Sequence, residues 1–181
     1  MLRAETDAPF YVDGNGAWRP DDLPASLDVM AELGVALLEQ PLPVAMWREM
    51  PAVRERAAFP VIADESVNSV ADVPRCRDGF DGVNVKLPKL GGLSPAAAAA
   101  RAAREAGLSV MLGCMPESSV GISATTQPAA WADHLDVDAA LLLDDDPAEG
   151  VSIDPQGRVR FPAGSGTGAR LRAEIRSLLP L

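Results

Sequence analysis

Four side chains at matched intervals carry chemical potential in this chain: Asp13, Glu39, Asp64 and Lys86. Each closes a short apolar run, in Phe10-Tyr11-Val12-Asp13, Val35-Ala36-Leu37-Leu38-Glu39, Val61-Ile62-Ala63-Asp64 and Val83-Asn84-Val85-Lys86. Carboxylates brought close repel and raise one another's pKa unless a cation sits among them. Three hard oxygen ligands suit Mg²⁺, with water and substrate completing an octahedron. The chain has one histidine and two cysteines, Cys76 and Cys114, in no C-x-x-C pairing, so a Cys/His zinc site is excluded and any metal would be held by oxygen. Lys86 and Lys89 are the only lysines among 16 basic residues. An ammonium can lose its proton where a guanidinium cannot, and a cation and a dry site would lower the pKa of Lys86 toward that of a general base. A metal holding a substrate carboxylate and stabilising an enediolate would then allow removal of the proton α to that carboxylate. Lys89, past Pro88, is expected to point to loop or solvent. Two plainer readings stand beside this one: coding bias that leaves two lysines by chance, and strand-end acids that cap the helices after them.

Such residues act together only on a scaffold that gathers them. Apolar alternation predicts strands over 9–16, 35–41, 60–66, 82–87, 109–117 and 134–138, and helical spacing predicts helices over 20–33, 44–57, 69–77, 94–106 and 119–131. From Asp13 through Glu39, Asp64 and Lys86 to Glu117 the intervals are 26, 25, 22 and 31 residues, each about one βα unit. The expectation is an α/β fold, a partial (β/α)-barrel of the TIM type with six βα units and a site on the C-terminal rim. A doubly wound open sheet is the alternative, but it brings only the strands beside a switch point to one ligand. Asp13 and Asn15 are expected on one face, as are Asp136 and Asp138 on the sixth strand. Residues 141–146, ending in three aspartates, read as a solvated turn; 150–161 reads as a hairpin around Asp154-Pro155-Gln156-Gly157, and 169–179 as a terminal helix. The expected division is a partial barrel over 1–149 and a tail over 150–181.

Composition narrows the partners. With 181 residues, 48% of them apolar, the chain supports one sizeable core. Its net charge of −10 argues against nucleic acid or an anionic membrane surface, both of which need a cationic footprint. No apolar run approaches the ~20 residues of a membrane span, and residues 1–8 are polar and acidic where a signal peptide is basic and then apolar, so a cytoplasmic location is expected.

The motifs Val12-Asp13-Gly14-Asn15, Glu39-Gln40-Pro41, Asp64-Glu65-Ser66, Asn84-Val85-Lys86-Leu87 and Gly113-Cys114-Met115-Pro116-Glu117-Ser118-Ser119 together resemble the barrel motifs of the enolase superfamily, muconate-lactonising subgroup. The resemblance is greatest to dipeptide epimerases of the L-Ala-D/L-Glu type. It implies Asp13, Glu39 and Asp64 as Mg²⁺ ligands, Lys86 as one of two acid/base lysines, and Asn15 and Glu65 as supports behind the ligands. Asp136-Val137-Asp138 stands where that family's Asp-x-Asp binds the α-ammonium of a dipeptide substrate, and paired carboxylates suit a cation. A turn-capping pair is the plainer reading of the two aspartates. Glu117 is a further candidate for lining the substrate pocket. Family members begin with an α+β capping domain and two barrel strands, the second bearing a Lys-x-Lys; this sequence starts at what would be the third strand, and no Lys-x-Lys occurs in it. The implied consequence is that Lys86 alone exchanges the α-proton of one epimer. Six strands would leave two unpaired edges that invite self-association or a complementary N-terminal chain, and the tail would pack on the cap. Three readings follow: a dipeptide epimerase, a cycloisomerase or o-succinylbenzoate synthase relative using the same metal and lysine, and a non-catalytic truncated fragment.

Overall fold

The computed structural model describes residues 2–177. A short helix α1 (Leu2–Glu5) precedes strand β1 (Phe10–Asp13) and helix α2 (Leu23–Glu32). Helical spacing buries Leu23, Leu27 and Met30 of α2 on one face, and Gly34, at φ 67°, ends the segment. Strand β2 (Val35–Glu39), a 3₁₀ turn (Val44–Glu49), α3 (Met50–Arg56), β3 (Val61–Ala63) and a second 3₁₀ segment (Val70–Asp78) lead to β4 (Gly82–Lys86). The one-turn helix α4 (Leu87–Leu90) comes next, then α5 (Leu93–Glu105), β5 (Ser109–Gly113), α6 (Ser119–Thr125), a 3₁₀ turn (Gln127–Trp131) and β6 (His134–Asp136). Three of the expected helices are therefore wholly or partly 3₁₀. The chain leaves helical geometry at Met46, and Pro74 and Pro128 lack the N–H that an α-helix would use. In α5 the buried face is Ala96, Ala99, Ala100 and Ala103, side chains small enough to lay the helix close on the strands.

The six strands lie in the order β1-β2-β3-β4-β5-β6, every neighbouring pair parallel. This is the partial TIM-type barrel expected of the sequence, a curled sheet with helices on its outer side. Leu38, Val61, Ala63, Val83, Val85, Val110 and Leu112 join the helices in the main core, whereas Leu37, Ile62 and Met111 form a separate inner cluster. Burial on both faces is why these strands read as nearly continuous apolar runs. The edge strands β1 and β6 are not paired to each other, yet Tyr11 Oη and His134 Nδ1 lie 2.9 Å apart, with the rings edge-on at 5.5 Å. The curl thus brings the first and last strands together through one pair of side chains.

The end of the barrel away from the rim is pinned twice by one arrangement. Asp81 accepts the Val61 N–H at 2.9 Å and Arg54 Nε at 2.8 Å; Asp133 accepts the Val110 N–H at 2.9 Å and Arg104 Nη2 at 2.9 Å. Each aspartate precedes one strand and satisfies a donor at the start of the strand before it, Val61 being the first residue of β3 and Val110 the second of β5.

After β6 come a 3₁₀ turn (Ala139–Leu142), β7 (Ala148–Glu149), β8 (Ser152–Ile153), β9 (Val159–Arg160), β10 (Arg170–Leu171) and α7 (Ala173–Arg176). The hairpin expected around residues 154–157 is β8 paired with β9. The helix expected over 169–179 begins later, because β10 pairs with β7, and residues 178–179 of that expectation lie outside the described residues. The solvated turn over 141–146 fails at Asp146, whose buried carboxylate accepts the Ser119 N–H at 2.9 Å, the Ser119 hydroxyl at 2.6 Å and the Ala148 N–H at 3.1 Å. Burial works against ionisation there, but the bonds from Ser119 and Ala148 outweigh it and hold the carboxyl below its ordinary range. Among the described residues no helix is long and apolar enough to cross a membrane.

Candidate functional site

Strand register brings the chemistry-bearing residues to one rim. Asp13 stands beside Glu39; Lys86 stands beside Gly113, and Gly113 beside Asp136. All lie at C-terminal strand ends, where a parallel barrel builds its site.

Glu39 is 4% exposed and accepts a 2.7 Å hydrogen bond from Asn84 Nδ2. Asn84 has room for this because Gly113, two residues beyond its register partner Met111 on β5, has no side chain: a Cβ there would collide with the Asn84 amide. Burial is the largest influence on Glu39 and pushes its carboxyl up to about 8; the Asn84 bond and Lys86 oppose it, while Asp13 and Asp64 add to it.

Asp64, also 4% exposed, sits between two ammonium groups. Lys86 Nζ donates to its Oδ2 at 2.7 Å, and Lys89 Nζ donates to its Oδ1 and to its main-chain carbonyl at 2.6 Å. The expectation that Lys89 faces loop or solvent is therefore wrong. Pro88 starts the single turn α4, and burial of Leu87 and Leu90 fixes that turn so that the Lys89 side chain, 14% exposed, returns to the end of β3. Burial disfavours an ionised Asp64, but the Lys89 charge and the bonds from both lysines outweigh it and hold the carboxyl low. For Lys86, burial lowers the pKa, yet the Asp64 bond and the charges of Asp64, Glu39 and Asp13 outweigh it and raise the ammonium above its usual value. The drop expected for Lys86 is thus reversed in the company of the carboxylates alone.

Gln40, 1% exposed, brackets β2 to the loop after β3. Its Oε1 accepts the N–H groups of Asp64 at 3.0 Å and Ser66 at 3.2 Å, and its Nε2 donates to Leu42 O at 2.9 Å and Ser66 Oγ at 3.0 Å. Its φ of 27° is unusual for a non-glycine residue and is held by these four bonds. Sequence reasoning gave no role to Gln40, Asn84, Gly113 or Lys89. A signal existed for Asn84, which shares the alternation of Lys86 on a strand whose other residues are Gly82, Val83 and Val85.

Asp13 and Asn15 do not share a strand face: β1 ends at Asp13, and Asn15, at φ 46°, turns its N–H back to Asp13 Oδ1 at 2.8 Å. Glu65 Oε2 is buried without a hydrogen-bond partner, and burial first, then Asp64 and Asp13, raises that carboxyl. Asp136 ends β6, but Asp138 stands beyond it at the start of the 3₁₀ turn, so the two acids are not on one strand face. The side chain of Asp138 makes no capping bond there. Solvent still reaches Asp136, yet desolvation in the mouth raises its carboxyl, and Asp138, Asp13 and Asp64 add to this while Lys86 opposes it; the like charges point the same way as the burial. Glu117 folds back onto its own loop, accepting the Met115 N–H at 3.0 Å. Cys114 lies among Asp136, Asp138 and Glu117, and burial together with those charges pushes its thiol up, away from a reactive thiolate.

Among the described residues no three His, Cys, Asp or Glu side chains are arranged as a closed ligand set. The donors nonetheless have the chemistry of a hard-cation site. Glu39 is a buried carboxylate with a single recorded bond, Glu65 has an orphaned buried oxygen, and Asp64 carries two cations as partners.

Residues 1–175 match the family model described as enolase C-terminal domain-like. An L-Ala-D/L-amino acid epimerase of Maribacter sp. is 46% identical over 170 residues, covering 94% of this chain and 50% of that protein. The dipeptide epimerase of Cytophaga hutchinsonii, solved in complex with Mg and the dipeptide D-Ala-L-Val, superposes with a TM-score of 0.86 at 25% identity, covering 92% of this chain and 47% of that one. The 2-chloromuconate cycloisomerase of Rhodococcus opacus superposes at 0.84 with 29% identity, covering 92% of this chain and 47% of that one. The chain spans about half the length of the curated relatives it matches. With six parallel strands, acids and lysines gathered at their C-terminal rim, and a match running through residue 175, the chain belongs to the enolase C-terminal domain-like family.

Proposed function

We propose that this chain carries the metal- and base-bearing part of a dipeptide epimerase, an isomerase that removes the proton α to a carboxylate. The observation that carries the reading is Lys86 Nζ at 2.7 Å from Asp64 beside the buried Glu39, at the rim of a barrel whose curated relatives are named as epimerases. In this reading Asp13, Glu39 and Asp64 hold Mg²⁺, and Asn15 and Glu65 support them. Three such carboxylates and an unpartnered Glu65 oxygen suit a hard divalent ion. When bound, that ion supplies Lewis-acid stabilisation of the negative charge that gathers on a substrate carboxylate as its α-proton leaves. Lys86 takes and returns that proton at the α-carbon. Asp136, in register with Lys86 across Gly113, and Asp138 hold the dipeptide's α-ammonium, with Glu117 lining the same pocket. The substrate is a small molecule met in the cytoplasm. The unpaired edges of β1 and β6 are where a second copy or a complementary N-terminal chain would add.

Epimerisation needs an acid/base on each face of the α-carbon, and Lys86 serves one. The chain alone is expected to exchange the α-proton of one epimer in D₂O with Mg²⁺ and L-Ala-L-Glu, read as loss of the glutamate α-proton signal by NMR. Joined to the N-terminal half of the Maribacter epimerase, it should convert one epimer to the other. Lys86→Ala should abolish both, and unchanged exchange in that variant would falsify the assignment. The Rhodococcus cycloisomerase shares the fold almost equally well, so the cycloisomerase reading is tested separately: Asp136→Ala with Asp138→Ala should abolish dipeptide binding in an epimerase and leave a cycloisomerase nearly unaffected.

A further inference from the structure

Two ammonium groups reach one carboxylate, and they are not equivalent. An ammonium has three donors. Lys89 has three acceptors on the chain: Asp64 Oδ1, the Asp64 carbonyl at 2.6 Å and the Asn84 carbonyl at 3.5 Å. Two of these are backbone atoms, one just past β3 and one within β4, whose positions do not depend on what else approaches the carboxylate. Lys86 has one recorded partner, Asp64 Oδ2 at 2.7 Å, and so keeps two donors uncommitted among the described residues. The base of Lys89 is also fixed. Leu87 and Leu90 of α4 are buried, and the N–H groups of Gly91 and Gly92 both close on Leu87 O at 3.0 Å, with Gly91 at φ 88°.

We propose that Lys89 is a positioning residue that anchors Asp64 through its backbone and one carboxylate oxygen. Asp64 Oδ2 can then exchange Lys86 for a divalent cation without movement of the loop, and Lys86 is freed for substrate. The inference rests on the reading of Asp64 as a metal ligand and Lys86 as the base. It divides the labour between the chain's two lysines: one holds the ligand, the other does the proton transfer.

The rarity of lysine makes the test direct. Lysine labelled with ¹⁵N gives two side-chain signals, assigned by the loss of one in Lys86→Arg or, if that variant fails to fold, in Lys86→Gln. In metal-free wild-type protein the Lys89 ammonium protons should exchange with water about tenfold or more slowly than those of Lys86, because Lys89 has three acceptors within 3.5 Å and Lys86 has one. On addition of MgCl₂ the Lys86 signal should shift while that of Lys89 stays. Lys89→Met should weaken Mg²⁺ binding, measured by calorimetry, by about tenfold, the order expected for loss of one charge-assisted bond. Equal exchange rates for the two ammonium groups overturn the anchor. A Mg²⁺-induced shift at Lys89 as large as that at Lys86 overturns the division of labour. Absence of any Mg²⁺ binding overturns the metal reading and the exchange of partners that depends on it, while the metal-free rates still decide whether Lys89 is the anchor.

Discussion

Asn84 and Gly113 work as a unit, one residue supplying an amide and the other the space for it. Gly113→Ala should push the Asn84 amide off Glu39 and destabilise the fold by about 1–3 kcal/mol, the usual range for overpacking a tight site, read by urea unfolding. Glu39 itself gives a pH signature. Its carboxyl ionises near 4.5 in a solvated chain and at about 8 when folded, so between those values the folded state holds a proton that the unfolded state has lost. Stability from this group is therefore expected to fall as pH rises through that window, in buffer containing a chelator. Glu39→Gln should flatten the slope; an unchanged slope in the variant would show that it arises elsewhere. At this scale the sequence was informative where spacing alone decides, which is how Asp64 and Lys86 came to the same rim. It was uninformative for Lys89, whose direction depends on where α4 buries Leu87 and Leu90, a tertiary fact with no local pattern.

Carboxylates outside the rim also hold elements together. Asp146 ties the start of α6 to β7 through three donors, and Ser123 Oγ accepts the Val151 N–H at 2.8 Å nearby. Asp146→Ala leaves buried N–H groups without acceptors and should cost roughly 1–3 kcal/mol, with faster proteolysis of the β8–β9 hairpin as the local readout. Because the folded Asp146 carboxyl is held low, its contribution is present above the ordinary carboxylate pKa and is lost as the pH drops through the folded value. The repeated clamps at the opposite end predict matched effects: Asp81→Ala and Asp133→Ala should each lower stability by about 1–3 kcal/mol, since each leaves one strand donor unpartnered and takes the carboxylate from one arginine, Arg54 keeping its 2.7 Å bond to Arg77 O. Strands β2 to β5 were legible because a strand buried on both faces writes itself as an apolar run, whereas β1 and β6, at the edges, are partly exposed. The 3₁₀ segments were not, since Pro74 and Pro128 stand in stretches whose periodicity still resembles an α-helix, and Asp146 looked like one of three solvated aspartates until β7 covered it.

At the scale of the molecule, 26 acidic residues face 16 basic ones, and the excess repels itself in every compact state. Raising NaCl from ~10 mM to ~150 mM shortens the screening length from about 30 Å to about 8 Å, so the Tm in chelator-containing buffer should rise. Exposed pairs such as Arg19–Asp22 and Arg56–Asp28 will not reverse the sign, because water screens them and holding two long side chains together costs entropy. The meeting of Tyr11 with His134 has a practical corollary. His134 is the chain's sole imidazole, and it stands where the outermost strands touch, so its ring resonances are a built-in gauge of whether the wall is shut or parted. Any polypeptide that slides between those strands must first separate the phenol from the imidazole, and one spectrum of unlabelled protein will register the event.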